Sequence, residues 1–488
     1  MTEKYFNNHF FVLYFFPFIL GSLTVLSFQP FNFTLINFII LPLFFLLINF
    51  VNKKSKNKYR KKPYKKNLFI LGTLFGFGFY LSNLYWISHS LTFDDSFKFL
   101  IPFSLILIPL FLSLFYSLVV LFVGPYLRTD LTSIFLFSSS LAISDFLRAK
   151  ILSGFPWNLW AYSFSWATEI IQFLNISGLF SFNLIIITIF LLPLSILFKS
   201  STKKKFLSFT LIILILFTLY IYGNHTLNKN DKNPDLIKSS FNIKVIAPNF
   251  PLEYGLSYDK ILLRLNKLIR YSEPDANLKT LFIWPEGVFS GYSFNEILEF
   301  KKVISKNFNK NHFILFGVNR YNKKMNGFYN SIVLVNKDMK ILQEYKKQKL
   351  VPFGEFLPFE DILNKFGFKK VTEGYGAFLK GEEKGNLKIE ELNILPLICY
   401  EIIFTEFIQR TDKNINLIVN ISEDGWFGNS IGPYQHFAKA IFRAVEQNSF
   451  LIRSTNKGIS AIINNKGEIL KKINPNEAGN IELQVPLI

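Results

Sequence analysis

The chain has 488 residues, of which 50% are hydrophobic and 18% are charged, a balance that is unusual for a wholly soluble protein. Its 54 Lys and Arg residues against 34 Asp and Glu residues leave a formal net charge of +20. The basic residues cluster in loops between apolar stretches, so this charge gives little support to nucleic-acid binding. A single cysteine excludes a disulfide framework and a cysteine-based zinc cluster, and we expect no cofactor or metal.

Seven apolar stretches precede residue 223, most of them near the length of about 20 residues that a helix needs to cross a bilayer. They are 9–28, 33–51, 68–89, 99–125, 131–148, 168–198 and 206–222. The fifth is marginal because Asp145 and Arg148 lie near its end. The first has no small-residue cleavage pattern after it, so we interpret it as an uncleaved anchor. The pattern predicts a transmembrane domain of about seven helices over residues 1–222.

The distribution of basic residues predicts how this domain is oriented. Nine Lys and Arg residues lie in 52–66 and four in 199–205, whereas the intervening loops contain almost none. Because basic loops stay on the cytoplasmic side, we expect the N-terminus inside and residue 223 outside. The loop 149–167 is rich in aromatic residues, which favour the headgroup layer, and we expect it at the outer interface.

The sequence changes character near residue 223. Residues 223–240 are predicted to form a polar linker, and residues 241–488 a single soluble domain. Near-continuous apolar runs that predict buried strands are 242–248, 280–285, 313–318, 329–336, 393–400, 416–421, 449–454 and 460–464. Amphipathic helices are predicted over 258–271 and 433–448. Alternating strands and helices of this kind indicate an α/β domain whose sheets are covered by helices.

The only cysteine, Cys399, follows an apolar run and precedes Tyr400 and Glu401, polar residues where a buried strand would normally continue. A free cysteine often only fills space in a core. The soluble domain is predicted to face an oxidising compartment, however, where an idle thiol is a liability. Thiolates attack carbonyl groups, and amines readily attack the thioester that forms. Cys399 is therefore the candidate nucleophile.

A candidate base and a candidate cation precede this cysteine in the chain. Glu286 ends an apolar run, and it is either a helix-terminal carboxylate or a general base whose pKa is raised by partial burial. Lys346, Lys347 and Lys349 form a cationic turn in which one ammonium would stabilise a thiolate and an oxyanion if it pointed inward. The chemistry of the sequence does not choose among these lysines. Glu355 is either a cap or a second carboxylate that orients the lysine.

A glycine-flanked aromatic loop at 424–428 contains Trp426. It is either a turn with packed rings or an apolar wall that excludes water from an acyl-enzyme. His436 is expected to cap or pack on its helix, and a Cys–His nucleophile pair is the alternative that nothing else supports.

Together these residues resemble the apolipoprotein N-acyltransferase family, a membrane-embedded branch of the nitrilase (carbon–nitrogen hydrolase) superfamily. The resemblance spans nearly the whole chain and rests on one string in the membrane part and six ordered strings in the soluble part. They are Gly154-Phe155-Pro156-Trp157, Trp284-Pro285-Glu286, Tyr329-Asn330-Ser331, Tyr345-x-Lys347-x-x-Leu350-Val351-Pro352-Phe353-Gly354-Glu355, Ile398-Cys399-Tyr400-Glu401, Trp426-Phe427-Gly428-x-Ser430-x-Gly432-Pro433 and Arg453-Ser454-Thr455-Asn456. Family members often end with another transmembrane helix, and residues 481–488 form no such apolar run.

The resemblance implies a multi-pass α-helical membrane domain joined to a nitrilase-like αββα sandwich. It also implies a Glu–Lys–Cys triad with Glu286 as base, Lys347 as the oxyanion-stabilising lysine and Cys399 as nucleophile. The supporting active-site positions that it implies are Glu355, Tyr400, Glu401 and Trp426.

The resemblance further implies that a phospholipid donates an acyl chain to the cysteine and that the chain then passes to the α-amino group of a diacylglyceryl-cysteine lipoprotein. This chemistry places the protein in the bacterial inner membrane, with its catalytic domain on the periplasmic side, and we expect a monomer. The aromatic-rich segment 356–379 is predicted to form a lipid-facing mouth.

Two alternatives accompany this interpretation. A membrane-tethered amidase would use the same triad and differ only in letting water reach the acyl-enzyme. A transporter or membrane scaffold with an external binding domain predicts intramembrane charges that face a translocation path, and the apolar spans contain almost none.

Overall fold

The structure is a computed structural model that describes residues 10–58, 63–198, 202–229, 238–253, 255–358, 365, 377–382, 385–409 and 415–486. The chain separates into two compact units. The first comprises Met1–Lys229 with Ser430–Gln435, and the second Asn230–Asn429 with His436–Ile488.

The first unit is helical. Among its described residues, the α-helices of eight or more residues are α1 Phe16–Leu23, α2 Asn37–Lys58, α3 Pro63–Leu84, α4 Ile101–Val123, α5 Leu131–Lys150, α6 Leu174–Leu191 and α7 Thr202–Lys229. Among the described residues, six helical segments are long and apolar enough to cross a membrane, and a shorter apolar helix spans Phe11–Ser27. The six long segments and the short one correspond to the seven apolar stretches of the sequence. The prediction of a multi-pass helical domain is therefore confirmed.

Two charged residues that make the fifth stretch marginal lie inside the helical unit. Arg148 donates to Asp145 at 2.8 Å, both side chains are buried, and Asn183 donates to the second carboxylate oxygen at 2.9 Å. Arg148 also donates to the carbonyl of Phe155. Because each charge is paired and hydrogen-bonded, the buried pair is compatible with an apolar helix.

The aromatic loop 149–167 is mostly packed inside this unit. Trp157, Trp160 and Tyr162 are fully buried, whereas Trp166 is exposed. The Trp160 ring packs on Phe79 with centroids 5.4 Å apart. Aromatic side chains bury large areas in a protein core as well as favouring the headgroup layer, so composition alone does not distinguish the two environments.

The second unit contains two six-stranded sheets. The first has the order β12-β1-β2-β3-β4-β5 and the second β11-β10-β9-β8-β7-β6. The strands are β1 Lys238–Ala247, β2 Thr280–Ile283, β3 His312–Asn322, β4 Gly327–Asn336, β5 Ile341–Lys346, β6 Leu387–Ile389, β7 Leu392–Ile398, β8 Leu417–Glu423, β9 Phe450–Asn456, β10 Ser460–Ile463, β11 Ile469–Ile473 and β12 Gly479–Pro486. In each sheet three neighbouring strands run parallel, β1–β3 in the first and β7–β9 in the second.

One apolar core joins the inner faces of both sheets. It contains Ile243 of β1, Leu281 of β2, Ile398 of β7 and Val419 of β8. The alternate side chains of the first sheet pack with the helices α8 Tyr258–Ser272 and α9 Lys301–Asn307 in a second core. A strand that is buried on both faces needs apolar residues at every position, which explains the continuous runs in the sequence.

The two predicted helices of this unit are present. The first is α8, and the second is α10, which runs over Gly432–Gln447 and buries its apolar stripe of Phe437, Ala440, Ile441, Ala444 and Val445. The predicted linker 223–240 is divided: helix α7 continues to Lys229, β1 begins at Lys238, and the residues between lie outside the described part.

Candidate active site

Cys399 lies where strand β7 ends and a short 3₁₀ turn, Cys399–Ile403, begins. Its φ of +49° is in the left-handed region, which a residue with a side chain rarely adopts. Such strain persists only where the surroundings enforce it, and it is common at functional sites. The backbone thus turns sharply at the sulfur-bearing residue.

Glu401 holds this turn in place. Its fully buried carboxylate accepts hydrogen bonds from the backbone amides of Ile398 at 2.9 Å, Gln348 at 2.7 Å and Lys349 at 3.1 Å, and from the Tyr345 hydroxyl at 3.0 Å. Burial raises the pKa of Glu401 to about 7, although these donors oppose the shift. One side chain therefore ties the cysteine turn to the lysine turn.

The structure distinguishes the three lysines. Lys347 is 1% exposed, whereas the Lys346 ammonium lies over the Tyr329 ring and Lys349 pairs with Glu406 at 3.2 Å. Side chains alternate along a strand, so Lys347, which directly follows β5, points to the face opposite Lys346. Alternation does not separate Lys347 from Lys349, which lies further along the chain and is held by Glu406 instead.

Lys347 lies between two carboxylates. Its ammonium is 2.9 Å from Glu355 Oε1 and 3.8 Å from Glu286 Oε1. Burial alone would lower the pKa of Lys347, but the charges of Glu355, Glu286 and Cys399 raise it overall. The lysine therefore remains an ammonium at neutral pH.

Glu286 follows strand β2, and its side chain is 13% exposed. The Asn330 amide donates to Oε1 at 2.7 Å, and the backbone amide of Glu423 donates to Oε2 at 3.0 Å. Burial raises the pKa of Glu286, Glu355 raises it further, and Lys347 lowers it. A raised pKa makes this carboxylate a stronger proton acceptor than an exposed one, as a general base requires.

Asn330 was not among the residues predicted for the site. From strand β4 its amide nitrogen donates to Glu286 Oε1 at 2.7 Å and to Glu355 Oε1 at 3.0 Å. Glu355 also accepts from the Val351 amide at 2.9 Å. The signal that could have identified Asn330 is its place in the family string Tyr329-Asn330-Ser331.

The Cys399 side chain is partly exposed. Burial raises the pKa of the thiol, and the negative charges of Glu286 and Asp424 raise it further, whereas Lys347 and the Ser422 side chain lower it. The resting group is therefore a thiol that needs a base before it can attack a carbonyl carbon. The structure brings Glu286, Lys347 and Cys399 within electrostatic reach of one another.

The other predicted positions lie close by. Tyr400 is buried with its ring 5.0 Å from that of Phe404, and Trp426 is half-buried in the turn Asp424–Phe427. Most of the predicted mouth, 356–379, lies outside the described residues. Its first residues include Leu357, which is buried.

His436 does not pair with the cysteine. Its Nδ1 lies 3.1 Å from Asp424 Oδ1, and both side chains are fully buried. Burial and the neighbouring Arg453 charge lower the pKa of His436 to about 4. The histidine is thus a neutral partner of a buried carboxylate, as the packing interpretation expected.

Glu423 was also missed. The carboxylate of this last residue of β8 accepts from the Asn456 amide at 2.7 Å and from the Gly425 amide at 2.8 Å. Burial raises the pKa of Glu423 to about 8. The signal in the sequence was its position directly after Ser422, in the polar string that follows the apolar run 416–421.

Among the described residues, no group of three or more His, Cys, Asp or Glu side chains could hold a metal ion.

Comparison with known proteins agrees with this architecture. The carbon–nitrogen hydrolase family model matches residues 260–487, and the model of the apolipoprotein N-acyltransferase N-terminal domain matches residues 20–192. A solved nitrilase-superfamily structure from Saccharomyces cerevisiae has a TM-score of 0.37 and 17% identity over 50% of this chain and 90% of its own. The family-model match at residues 260–487 covers most of the double-sheet unit.

Curated relatives are similar over most of both units. The apolipoprotein N-acyltransferase of Rhodopseudomonas palustris is 30% identical over 85% of this chain and 80% of its own length. That of Rickettsia prowazekii is 33% identical over 85% of this chain and 82% of its own. The chain belongs to the apolipoprotein N-acyltransferase family, and it is an acyltransferase of the carbon–nitrogen hydrolase superfamily.

Proposed function

We propose that the protein transfers an acyl chain from a membrane phospholipid, through a thioester on Cys399, to the α-amino group of a diacylglyceryl-cysteine lipoprotein. The observation that carries the proposal is the placement of the Lys347 ammonium between Glu286 and Glu355, beside a cysteine held in a strained turn. The family relationship supplies the class of substrates.

In the first half-reaction, Glu286 takes the thiol proton as the Cys399 sulfur attacks the ester carbonyl carbon. The carbonyl oxygen becomes an oxyanion, and the Lys347 ammonium stabilises its charge. When the tetrahedral intermediate collapses, the lysophospholipid alkoxide leaves and receives the proton from Glu286. The acyl chain remains on sulfur as a thioester.

In the second half-reaction, the lipoprotein amine attacks the thioester carbonyl and Glu286 takes a proton from the amine. Lys347 again stabilises the oxyanion. Collapse breaks the carbon–sulfur bond and releases the amide product, and Glu286 gives its proton to the departing sulfur, which restores the thiol. Glu355 and Asn330 orient Lys347 and Glu286, and Glu401 holds the cysteine turn. Tyr400 and Trp426 are proposed to line the acyl site.

We further propose that the protein acts as a monomer in the bacterial inner membrane, with the catalytic unit on the periplasmic side. The basic segments 52–66 and 199–205 support this orientation, because basic loops stay cytoplasmic. Both proposed substrates are membrane lipids, so an anchored enzyme reaches them without extracting lipid into water.

The test is an assay of the full-length protein with a phospholipid and a diacylated lipopeptide. We expect a triacylated product and an acyl adduct on Cys399 by mass spectrometry, both lost in Cys399→Ala. Lys347→Met should abolish the product, whereas the neighbouring Lys346→Met should not. Release of free fatty acid alone would establish the amidase alternative, and product formed by Cys399→Ala would refute the proposal.

A further inference from the structure

A cavity of about 350 Å³ lies at the end of the first sheet, where the β3–β4 hairpin meets strand β5. The cationic residues that line it are Arg320, Lys323, Lys324 and Lys346, and the acidic residue of the lining is Glu344. A volume of this size is at the lower end of the range for small-molecule sites and accommodates a phosphate-bearing headgroup. The charge of the lining is that of a site for an anion.

The strand register places this cavity on the face of the sheet opposite the candidate active site. Tyr329 of β4 lies opposite Arg320 of β3. Ser331, two residues further along β4, lies opposite Lys346 of β5, so all four side chains share one face. Because side chains alternate along a strand, Asn330 points to the other face, into the candidate active site. The cavity is therefore separate from the groups of the proposed acyl transfer.

Two of the cations are held in place by the sheet. Arg320 donates from Nε to Glu344 Oε2 at 3.4 Å, and the Ser331 hydroxyl donates to the other oxygen of this carboxylate at 3.2 Å. The side chains of Arg320 and Glu344 are 27% and 19% exposed, so the pair is partly buried. The Lys346 ammonium lies over the Tyr329 ring, 5.0 Å from its centroid. These two cations are thus positioned before any ligand binds, unlike lysines on an open surface.

The other two cations come from the turn of the hairpin. Lys323 and Lys324 are exposed and lie at the rim of the cavity. The Asn322 side chain shapes the turn, because its oxygen accepts from the backbone amides of Lys324 at 2.9 Å and Met325 at 3.2 Å. Four positive charges against one negative charge leave an excess of three in the lining. A concave surface of one charge sign concentrates ions of the opposite sign.

We propose that this cavity binds the phosphate group of an anionic phospholipid headgroup, as a ligand that is not a substrate. Arg320 supplies the planar guanidinium that suits phosphate oxygens, and the three lysines supply point charges around it. Phospholipid is the phosphate-bearing class that surrounds the membrane-spanning helices of the first unit. Soluble glycerol phosphate and inorganic phosphate carry the same group and are the other source of this ligand chemistry. Binding involves no covalent step and does not depend on the proposed acyl transfer.

The test is protection of the cavity lysines from acetylation by a water-soluble succinimidyl ester, in the full-length protein in nonionic detergent. Mass spectrometry measures the rate at Lys323, Lys324 and Lys346, with Lys301 and Lys302, an exposed pair on helix α9, as internal references. The probes are dihexanoyl phosphatidylglycerol, zwitterionic dihexanoyl phosphatidylcholine, glycerol 1-phosphate and inorganic phosphate. Protection follows occupancy, so phosphatidylglycerol at about ten times its half-protecting concentration should slow acetylation in the cavity about tenfold. The reference lysines should react at an unchanged rate.

A double variant, Lys323→Gln with Lys324→Gln, removes the two rim charges and keeps Lys346 as the reporter. An exposed ion pair contributes up to about fivefold to an equilibrium constant, so the half-protecting concentration of phosphatidylglycerol should rise by about fivefold or more. The matched control, Lys301→Gln with Lys302→Gln, should leave this concentration unchanged. All four positions are exposed, and thermal unfolding verifies that both proteins are folded.

Protection by phosphatidylglycerol alone supports a lipid headgroup as the ligand, and equal protection by glycerol 1-phosphate or inorganic phosphate supports the site with a soluble phosphate as its source. Equal protection by phosphatidylcholine, equal protection of the reference lysines, or no protection by any probe would overturn the inference. So would an unchanged half-protecting concentration in the Lys323→Gln, Lys324→Gln protein. Failure of acyl transfer with intact protection would instead contradict only the proposed function.

Discussion

The position of Lys347 between two carboxylates makes Glu355→Gln the most informative single change. At an effective dielectric constant of about 20, the 2.9 Å contact with Glu355 corresponds to about 6 kcal/mol of gross attraction, and the 3.8 Å contact with Glu286 to about 4 kcal/mol. The substitution preserves the shape of the side chain and removes the larger of these attractions.

Two consequences follow for the site. Breaking a buried ion pair costs about 3–5 kcal/mol, and because Glu286 still attracts the lysine we expect a loss of about 2–3 kcal/mol in unfolding free energy. The ammonium should also move toward Glu286, which lowers the pKa of that base and draws the charge away from the oxyanion. Losing one preorganised oxyanion donor costs about 100-fold or more in turnover, so we expect a decrease of that order.

The assay combines acyl transfer to a diacylated lipopeptide with thermal unfolding of the same preparation. Glu344→Gln is the control, because this carboxylate also belongs to a partly buried ion pair, with Arg320 at 3.4 Å, but does not contact Lys347. Glu344→Gln should lower stability modestly and leave turnover unchanged. If Glu355→Gln lost stability but transferred acyl chains at the wild-type rate, Glu355 would not position the lysine.

Two further predictions concern buried carboxyl groups. In Glu401→Gln the single carbonyl oxygen cannot accept hydrogen bonds from all three backbone amides. The amide that is left unsatisfied should lower the unfolding free energy by about 1–3 kcal/mol. The measurement is the melting temperature, which should be lower than that of the control Glu299→Gln, a substitution at an exposed position. Burial raises the pKa of Glu423 from 4.5 to about 8, so between these values the folded protein keeps a proton that the unfolded chain releases. Stability should therefore fall as pH rises through this window, by up to about 5 kcal/mol for this group. The melting temperature of Glu423→Gln should be less sensitive to pH from about 5 to 9, and equal slopes in both proteins would contradict this assignment.

The sequence predicted a strand correctly where the local pattern of apolar residues was enough to define it. Strands that are buried on both faces require continuous apolar runs, and β2, β3, β4, β7 and β8 were predicted on that basis. The edge strands were missed for the complementary reason. Residues Ile469–Ile473 of β11 are almost entirely exposed, and β12 Gly479–Pro486 is defined by its pairing with β1, more than 200 residues away. Neither periodicity nor propensity reports a distant partner.

Within the site, too, residues marked by a local pattern were predicted and a residue that depends on distant partners was missed. Cys399 and Glu286 were identified because each follows an apolar strand, where parallel strands of an α/β unit bring polar side chains to one edge. The chemistry of the lysine turn did not select Lys347 over Lys346 and Lys349, and only the family resemblance did, because the choice depends on which side chain points inward after β5. Asn330 was missed because its two carboxylate partners come from different segments of the chain.

Buried polar clusters are the part of such a site that sequence patterns describe least. Ser422 and Arg453 lie in the buried strands β8 and β9, and Asp424, which directly follows β8, accepts a hydrogen bond from each of them. This arrangement extends to Gly458, where an added Cβ would lie 2.1 Å from Asp424 Oδ2, so even the backbone that covers the cluster is fitted to it. From within this cluster the negative charge of Asp424 raises the pKa of the Cys399 thiol. The buried Asp424 charge, together with Glu286 and Lys347, therefore determines how readily the sulfur loses its proton.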